Sequence, residues 1–222
     1  MNATLNIQSL KNTQRMESLR ALITERYGPA RSSPFRTLLR TGIPKWDSVT
    51  GGIRQSATTE ICGSSGNCAL LLDAILQSAN SHGVLSAIID GGNSFEPGDY
   101  NAKSQRGILW VSAQNPKSAI QATDLLLRDG NLPLIALDLH GFGSSHLSKI
   151  PASTWHRFAR LLEQNHSALL VFNSQPLVEG CQTRVTSQSK WSVKELDIQR
   201  RQLIESLPIQ IFRRNSHTLR LV

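Results

Sequence analysis

Along most of the chain, short apolar runs alternate with longer stretches in which apolar side chains recur every three to four positions. The runs cover residues 58–62, 84–90, 108–111, 134–139 and 168–172, and the helical stretches cover 68–81, 116–128 and 155–165. Short runs without strict apolar/polar alternation suit strands buried on both faces. The helix-length stretches between them supply the crossovers that parallel neighbours need. The pattern predicts an α/β domain with a mainly parallel sheet flanked by helices. After Leu177 the rhythm changes, and residues 183–187, 209–213 and 218–222 read as short strands separated by turns, an antiparallel extension of the sheet.

Before the sheet, the side chains Met16, Leu19, Leu22, Ile23 and Tyr27 recur three to four apart with charges between them, the period of an amphipathic helix over residues 12–27. Gly28-Pro29 and the Ser/Pro-containing run 31–34 break it. Three parts are expected: a helical arm and linker over residues 1–36, an α/β core over 37–180, and a basic C-terminal extension over 181–222. No internal repeat is evident.

Composition narrows the class without changing that picture. A chain of 222 residues with 39% hydrophobic and 18% charged side chains can bury one sizeable core. No stretch approaches the roughly 18 apolar residues of a membrane span, and the first thirty residues lack the apolar centre of a secretory signal, so a cytoplasmic protein without membrane contact is expected. Cys62, Cys68 and Cys181 make an odd number without Cys-x-x-Cys spacing, which predicts reduced thiols rather than a disulfide framework or zinc site. The net charge of +8 sits at the two ends: residues 1–40 hold seven Lys/Arg against two acids and residues 181–222 hold eight against three. Basic ends suit nucleic-acid phosphates or an acidic partner surface, or serve solubility alone.

In an α/β domain the turn from the first core strand into its helix is where phosphates bind, because free backbone N–H groups converge at the helix N-terminus. That turn here runs Gly63, Ser64, Ser65, Gly66, Asn67, Cys68, Ala69 and Leu70. It keeps the small residues of a phosphate-binding loop, but such a loop also needs a lysine for the β/γ-phosphates followed by Ser or Thr for magnesium. Aligned from Gly63 without a gap, those two positions hold Ala69 and Leu70; aligned on Ser-Ser-Gly with two residues fewer, they hold Asn67 and Cys68. Neither Ala nor Asn neutralises phosphate, and neither Leu nor Cys offers magnesium a hard oxygen. The loop is degenerate, and neither a nucleotide cofactor, a metal nor catalysis is expected. His140, Ser144, Ser145 and His146 lie in a Gly-containing stretch but include no Gly-x-Ser-x-Gly elbow, so a mobile polar loop is expected there rather than a hydrolase site.

Several segments together resemble a known family. Thr41-Gly42-Ile43-Pro44-x-x-Asp47 with Gly51-Gly52, the degenerate loop, the run Ile88-Ile89-Asp90-Gly91-Gly92-Asn93-Ser94-Phe95-Glu96-Pro97 and residues 134–138 resemble bacterial RecA in order and spacing. Ile108-Leu109-Trp110-Val111, Ala122-x-Asp124-Leu125-Leu126-Leu127-Arg128 and Trp155-x-x-Phe158-Ala159-Arg160 resemble the ImuA family, RecA-like accessory proteins of bacterial mutagenesis cassettes. The likeness covers roughly residues 35–180; the arm and tail match far less clearly.

The resemblance implies a RecA-like fold and assigns places to particular residues. Gly92 stands where RecA carries the glutamate that activates water, so the general base is missing as well. Asp138 takes the Walker B place, which in a working enzyme holds magnesium indirectly; without a metal it becomes a cap or turn acceptor. Gln175 lies near the γ-phosphate sensor of RecA. RecA's two loops facing DNA correspond to residues 140–153 and 176–190, which makes Lys149, Arg184 and Lys190 candidate DNA contacts, with ordinary solvated surface as the alternative. The RecA arm packs on a neighbouring subunit, so Met16, Leu19, Leu22 and Ile23 form a candidate docking stripe; packing on the chain's own core is the alternative. Trp46, Trp110, Trp155 and Trp191 are read as core or interface anchors.

The implied function is a non-catalytic accessory factor in SOS-linked, error-prone translesion synthesis, located in the cytoplasm at the nucleoid. It would bind ImuB, a polymerase-like protein lacking its active site, or RecA, with DNA as a further candidate partner. Two alternatives remain open: a DNA-dependent ATPase in which backbone amides of residues 63–66 replace the lost lysine, and a cell-division inhibitor of the SulA type.

Overall fold

The computed structural model describes residues 38–96, 107–189, 195, 197–215 and 218–221, together with residues 17, 18, 21 and 25. The chain divides into two units, Met1–Phe35 and Arg36–Val222. In the first, the described residues Glu17, Ser18, Ala21 and Glu25 are helical and exposed. The predicted docking stripe of Met16, Leu19, Leu22 and Ile23 lies outside the described residues, as do Lys190 and Trp191.

The second unit begins with a small antiparallel ribbon, β1 (Leu38–Leu39) against β2 (Ile53–Arg54), connected by helix α1 (Pro44–Thr50). Asp47 explains the Thr-Gly-Ile-Pro-x-x-Asp pattern. Its Oδ1 accepts from the Thr41 amide (3.0 Å) and hydroxyl (2.9 Å), and its Oδ2 accepts from the Gly42 amide (3.2 Å), so the carboxylate fastens the turn that enters α1. Pro44 starts the helix, where a missing N–H costs nothing, and Gly51 ends it at φ +78°, a left-handed conformation suited to glycine.

The main sheet holds eight strands: β3 (Ala57–Gly63), β4 (Ser86–Asp90), β5 (Ile108–Ser112), β6 (Leu134–Asp138), β7 (Ala168–Asn173), β8 (Thr183–Ser187), β9 (Ile209–Asn215) and β10 (Thr218–Leu221). Their spatial order is β10-β9-β8-β3-β7-β6-β4-β5. The six strands from β8 to β5 run parallel, whereas β9 and β10 are antiparallel. Flanking helices are α2 (Ser65–Ser81), α3 (Pro116–Asp129), α4 (Ser144–Leu147), α5 (Ala152–Asn165) and α6 (Arg200–Ser206). The expected α/β class with a mostly parallel sheet is what the chain adopts. Every residue of β3, β4, β6 and β7 is buried, and β6 and β7 are apolar almost throughout, whereas β3 buries Thr58, Thr59 and Glu60 as well.

Two expectations about the tail need correction. Residues 183–187 do not begin an antiparallel extension: β8 pairs in parallel with β3, Thr59 facing Thr183 and Gly63 facing Ser187. The crossover over residues 174–182 returns the chain to the start of β3 without a helix, and only β9 reverses direction. A helix, α6, also lies between β8 and β9, where turns were expected.

On one face of the sheet, Leu71, Ile75 and Leu76 of α2 pack in the same buried cluster as Ile61, Ile88, Leu170, Phe172 and the fully buried Trp46. On α5, Trp155 meets Phe158 edge to face with ring centroids 6.0 Å apart, and both are buried. No helix of the described residues is long and apolar enough to cross a membrane.

Candidate functional site

The parallel strands end together at one edge of the sheet, and the chain passes there from β7 on one side of β3 to β8 on the other. Open α/β sheets bind ligands at such a reversal, outside the carboxyl ends of their strands. The turn from β3 into α2, however, is a single residue, Ser64. Its Oγ accepts from the Asn67 amide at 3.4 Å and its carbonyl accepts from the Cys68 amide at 3.0 Å. The helix therefore starts three residues before the predicted residue 68, and Ser65 to Leu70 form its first turns rather than a loop around phosphate.

The two residues that could replace the lysine and the Ser/Thr are turned inward. Asn67 is fully buried; its Nδ2 donates to the Ser187 carbonyl (3.1 Å) and its Oδ1 accepts from Ser189 Oγ (3.0 Å), tying α2 to the end of β8. Cys68 is buried too, and burial, followed by the negative charge of Asp138 and by Cys62, pushes its thiol up out of the range of a ready metal ligand. Of the ungapped pair, Ala69 is exposed and Leu70 half-buried. A Cβ on Gly63 would collide with the Ser187 carbonyl oxygen, so the end of β3 lies hard against β8. These residues do not fit a magnesium nucleotide.

Across β7, at the end of β6, Asp138 is engaged by the chain's own donors. Its Oδ1 accepts from the His140 amide and faces His140 Nδ1, each at 2.9 Å, and its Oδ2 accepts from Ser94 Oγ at 3.2 Å. The second ring nitrogen, Nε2, lies 3.2 Å from the Gly63 carbonyl oxygen. A carboxylate and a carbonyl only accept, so the ring satisfies both when each nitrogen carries a proton, as imidazolium. Burial opposes that charge, but the hydrogen bond to Asp138, its negative charge and the Gly63 carbonyl outweigh burial and raise the pKa above its ordinary value. His140 thus bridges the end of β6 and the end of β3 through its two ring nitrogens. The mobile polar loop expected here is instead this pinned histidine followed by helix α4.

Asp90, at the end of β4, organises the neighbouring turn. Its Oδ1 accepts from the amides of Gly92 and Ser94, and its Oδ2 from the Phe95 amide and, at 3.3 Å, from Trp110 Nε1. The Trp110 indole is 41% exposed and lies 6.1 Å from Phe95, ring centre to ring centre. Gly91 and Gly141 bring the turns after β4 and β6 into direct contact: a Cβ on Gly141 would collide with Gly92 Cα and the Gly91 carbonyl oxygen. Gly92 itself carries no side chain toward the site. A pocket of about 290 Å³ remains at this strand edge between α2, residues 94–96 and α6, with Ser65, Gly66, Asp138, Phe95, Phe172 and Arg200 on its walls.

The candidate DNA contacts are not gathered together. Lys149 is exposed between α4 and α5. Arg184 is not a loop residue: it lies in β8, and its Nε donates to Glu60 Oε2 at 2.7 Å. Glu60 is fully buried in β3, and its Oε1 also accepts from the amides of Leu177 and Val178. Gln175 is exposed at the start of that crossover. Sequence reasoning missed both His140 and Glu60, although each left a trace: a histidine two residues beyond a strand-ending aspartate, and a lone glutamate inside an apolar strand, which demands a partner. All three cysteines are free and buried; burial pushes Cys62 up to about 12 and, against the opposing influence of Arg184, Cys181 up to about 11. No group of three or more His, Cys, Asp or Glu among the described residues could hold a metal ion.

In comparisons with known proteins, no family model and no curated protein matches the chain.

Proposed function

We propose that this chain is a non-catalytic, RecA-like accessory factor that acts by binding ImuB or RecA in SOS-linked translesion synthesis. The observation that carries the non-catalytic part is the His140 bridge: the imidazole spans Asp138 and Gly63, between the strand ends where an enzyme of this type would hold the metal and phosphates. The one-residue turn at Ser64 and the inward Asn67 support the same reading. The RecA-like part draws on the ordered sequence resemblance. It is supported by the strand order, with β7 between the loop-bearing β3 and the aspartate-bearing β6, and an antiparallel pair beyond β8. A site whose polar groups are taken up by the chain's own bonds leaves surfaces as the means of action.

ImuB and RecA are chosen as partners from the resemblance to the ImuA family, which also places the protein at the nucleoid. DNA contact through Lys149 belongs to the same proposal. Capture of purified ImuB and RecA by the purified chain, with nuclease present to remove bridging DNA, tests it. The proposal expects direct capture of one of them; capture of neither counts against it.

A further inference from the structure

The face of the sheet opposite α2 carries a second pocket, remote from the β3 and β6 strand ends. Helices α3 and α5 flank the centre of the sheet, while the 174–182 crossover is drawn down over β3 by the bonds from Leu177 and Val178 to Glu60. Directly opposed residues in antiparallel strands share a face. Arg184 faces Phe212, Phe212 faces Leu221, and Arg214 faces Leu219, so these five side chains belong to one surface of β8, β9 and β10. Leu221 is 62% exposed and Phe212 and Leu219 are half-buried, so this surface has apolar character without full cover. Between it and the crossover lies a pocket of about 600 Å³, with Pro176, Val178 and Leu219 as aliphatic walls and His156, Arg184 and Arg214 as its basic groups.

The two guanidinium groups differ in a useful way. Arg184 is oriented from below: Glu60, fully buried, takes its Nε, and the side chain is left 22% exposed. Arg214 is half-buried and makes no ion pair among the described residues. The opposing charges are Glu60, already committed to Arg184, and the exposed Glu179 at the rim, which pairs with neither arginine.

We propose that this pocket binds a carboxylate-bearing apolar segment of a partner protein, with Arg184 and Arg214 receiving the carboxylate and Pro176, Val178 and Leu219 receiving the apolar neighbours. Planar guanidinium groups match the two oxygens of a carboxylate. The aliphatic walls and the volume suit a few side chains. A nucleic-acid backbone, by contrast, needs a run of phosphate contacts along an open basic surface, and Glu179 at the rim opposes a polyanion. The inference rests on the reading that the chain works by binding proteins, and names the chemistry of one surface that would do so.

The test is titration of the full chain with a terminally blocked, leucine-rich peptide containing paired aspartates and with its asparagine twin, followed by backbone amide NMR shifts and affinity. Shifts concentrated in the crossover and β8 to β10, with the asparagine twin and the Arg214→Gln variant each binding about tenfold more weakly, are expected. Because Arg214 makes no ion pair among the described residues, Arg214→Gln should melt with the parent. Equal binding by the twin or by Arg214→Gln, no binding at millimolar peptide, or displacement of the peptide by a single-stranded oligonucleotide would each overturn the inference. Lost peptide binding with intact capture of ImuB or RecA would sink this pocket alone; intact peptide binding without capture would sink the partner assignment alone.

Discussion

His140 joins two strand ends through one ring. Between Asp138 and Gly63 both its nitrogens face acceptors, an arrangement that favours the charged ring. Its folded pKa is raised, so the stability it contributes is fully present below the unfolded value of about 6.5 and is lost as pH rises through the folded value. His140→Gln is therefore expected to cost about 2 kcal/mol at about pH 6, the worth of a charge-assisted hydrogen bond, and less at about pH 9, measured by chemical denaturation of both proteins. A cost that did not change with pH would show that the ring is neutral. The missing lysine was legible in the sequence; what fills its place was not, because the second acceptor of the imidazole lies 77 residues earlier in the chain.

Among the elements, the turns after β4 and β6 are joined by glycine alone. Gly141 lies so close to Gly91 and Gly92 that a methyl group there has backbone on its far side and nothing flexible to displace. Gly141→Ala should destabilise the fold by about 1–3 kcal/mol, the usual cost of overpacking, in urea or thermal denaturation. Unchanged stability would mean that the two turns separate easily. Strands β6 and β7 were legible because burial on both faces leaves a nearly unbroken apolar run. β8 was not: its residues alternate buried and half-buried, the signature of an antiparallel strand, although its partner β3 runs parallel. Helix α6 was hidden for a related reason, since none of its residues is buried and no apolar stripe marks it.

At the scale of the molecule, a positive chain with a parallel sheet has put its chemistry to structural use. At the strand edge where α/β sheets take ligands, Asn67, Asp138 and His140 bond to the chain's own groups beside a pocket of about 290 Å³, while the crossover beside β8 leaves two arginines around another pocket. On the proposed reading the chain works through its surfaces, and the fold should need no nucleotide to reach its final form. The most direct measurement is a calorimetric titration of the purified chain with ATP and magnesium, paired with its melting temperature, because any ligand that binds the folded state raises that temperature by mass action. No heat of binding and no shift up to about 1 mM nucleotide is the predicted result. Micromolar, magnesium-dependent binding would contradict the non-catalytic reading and return the chain to the enzymes.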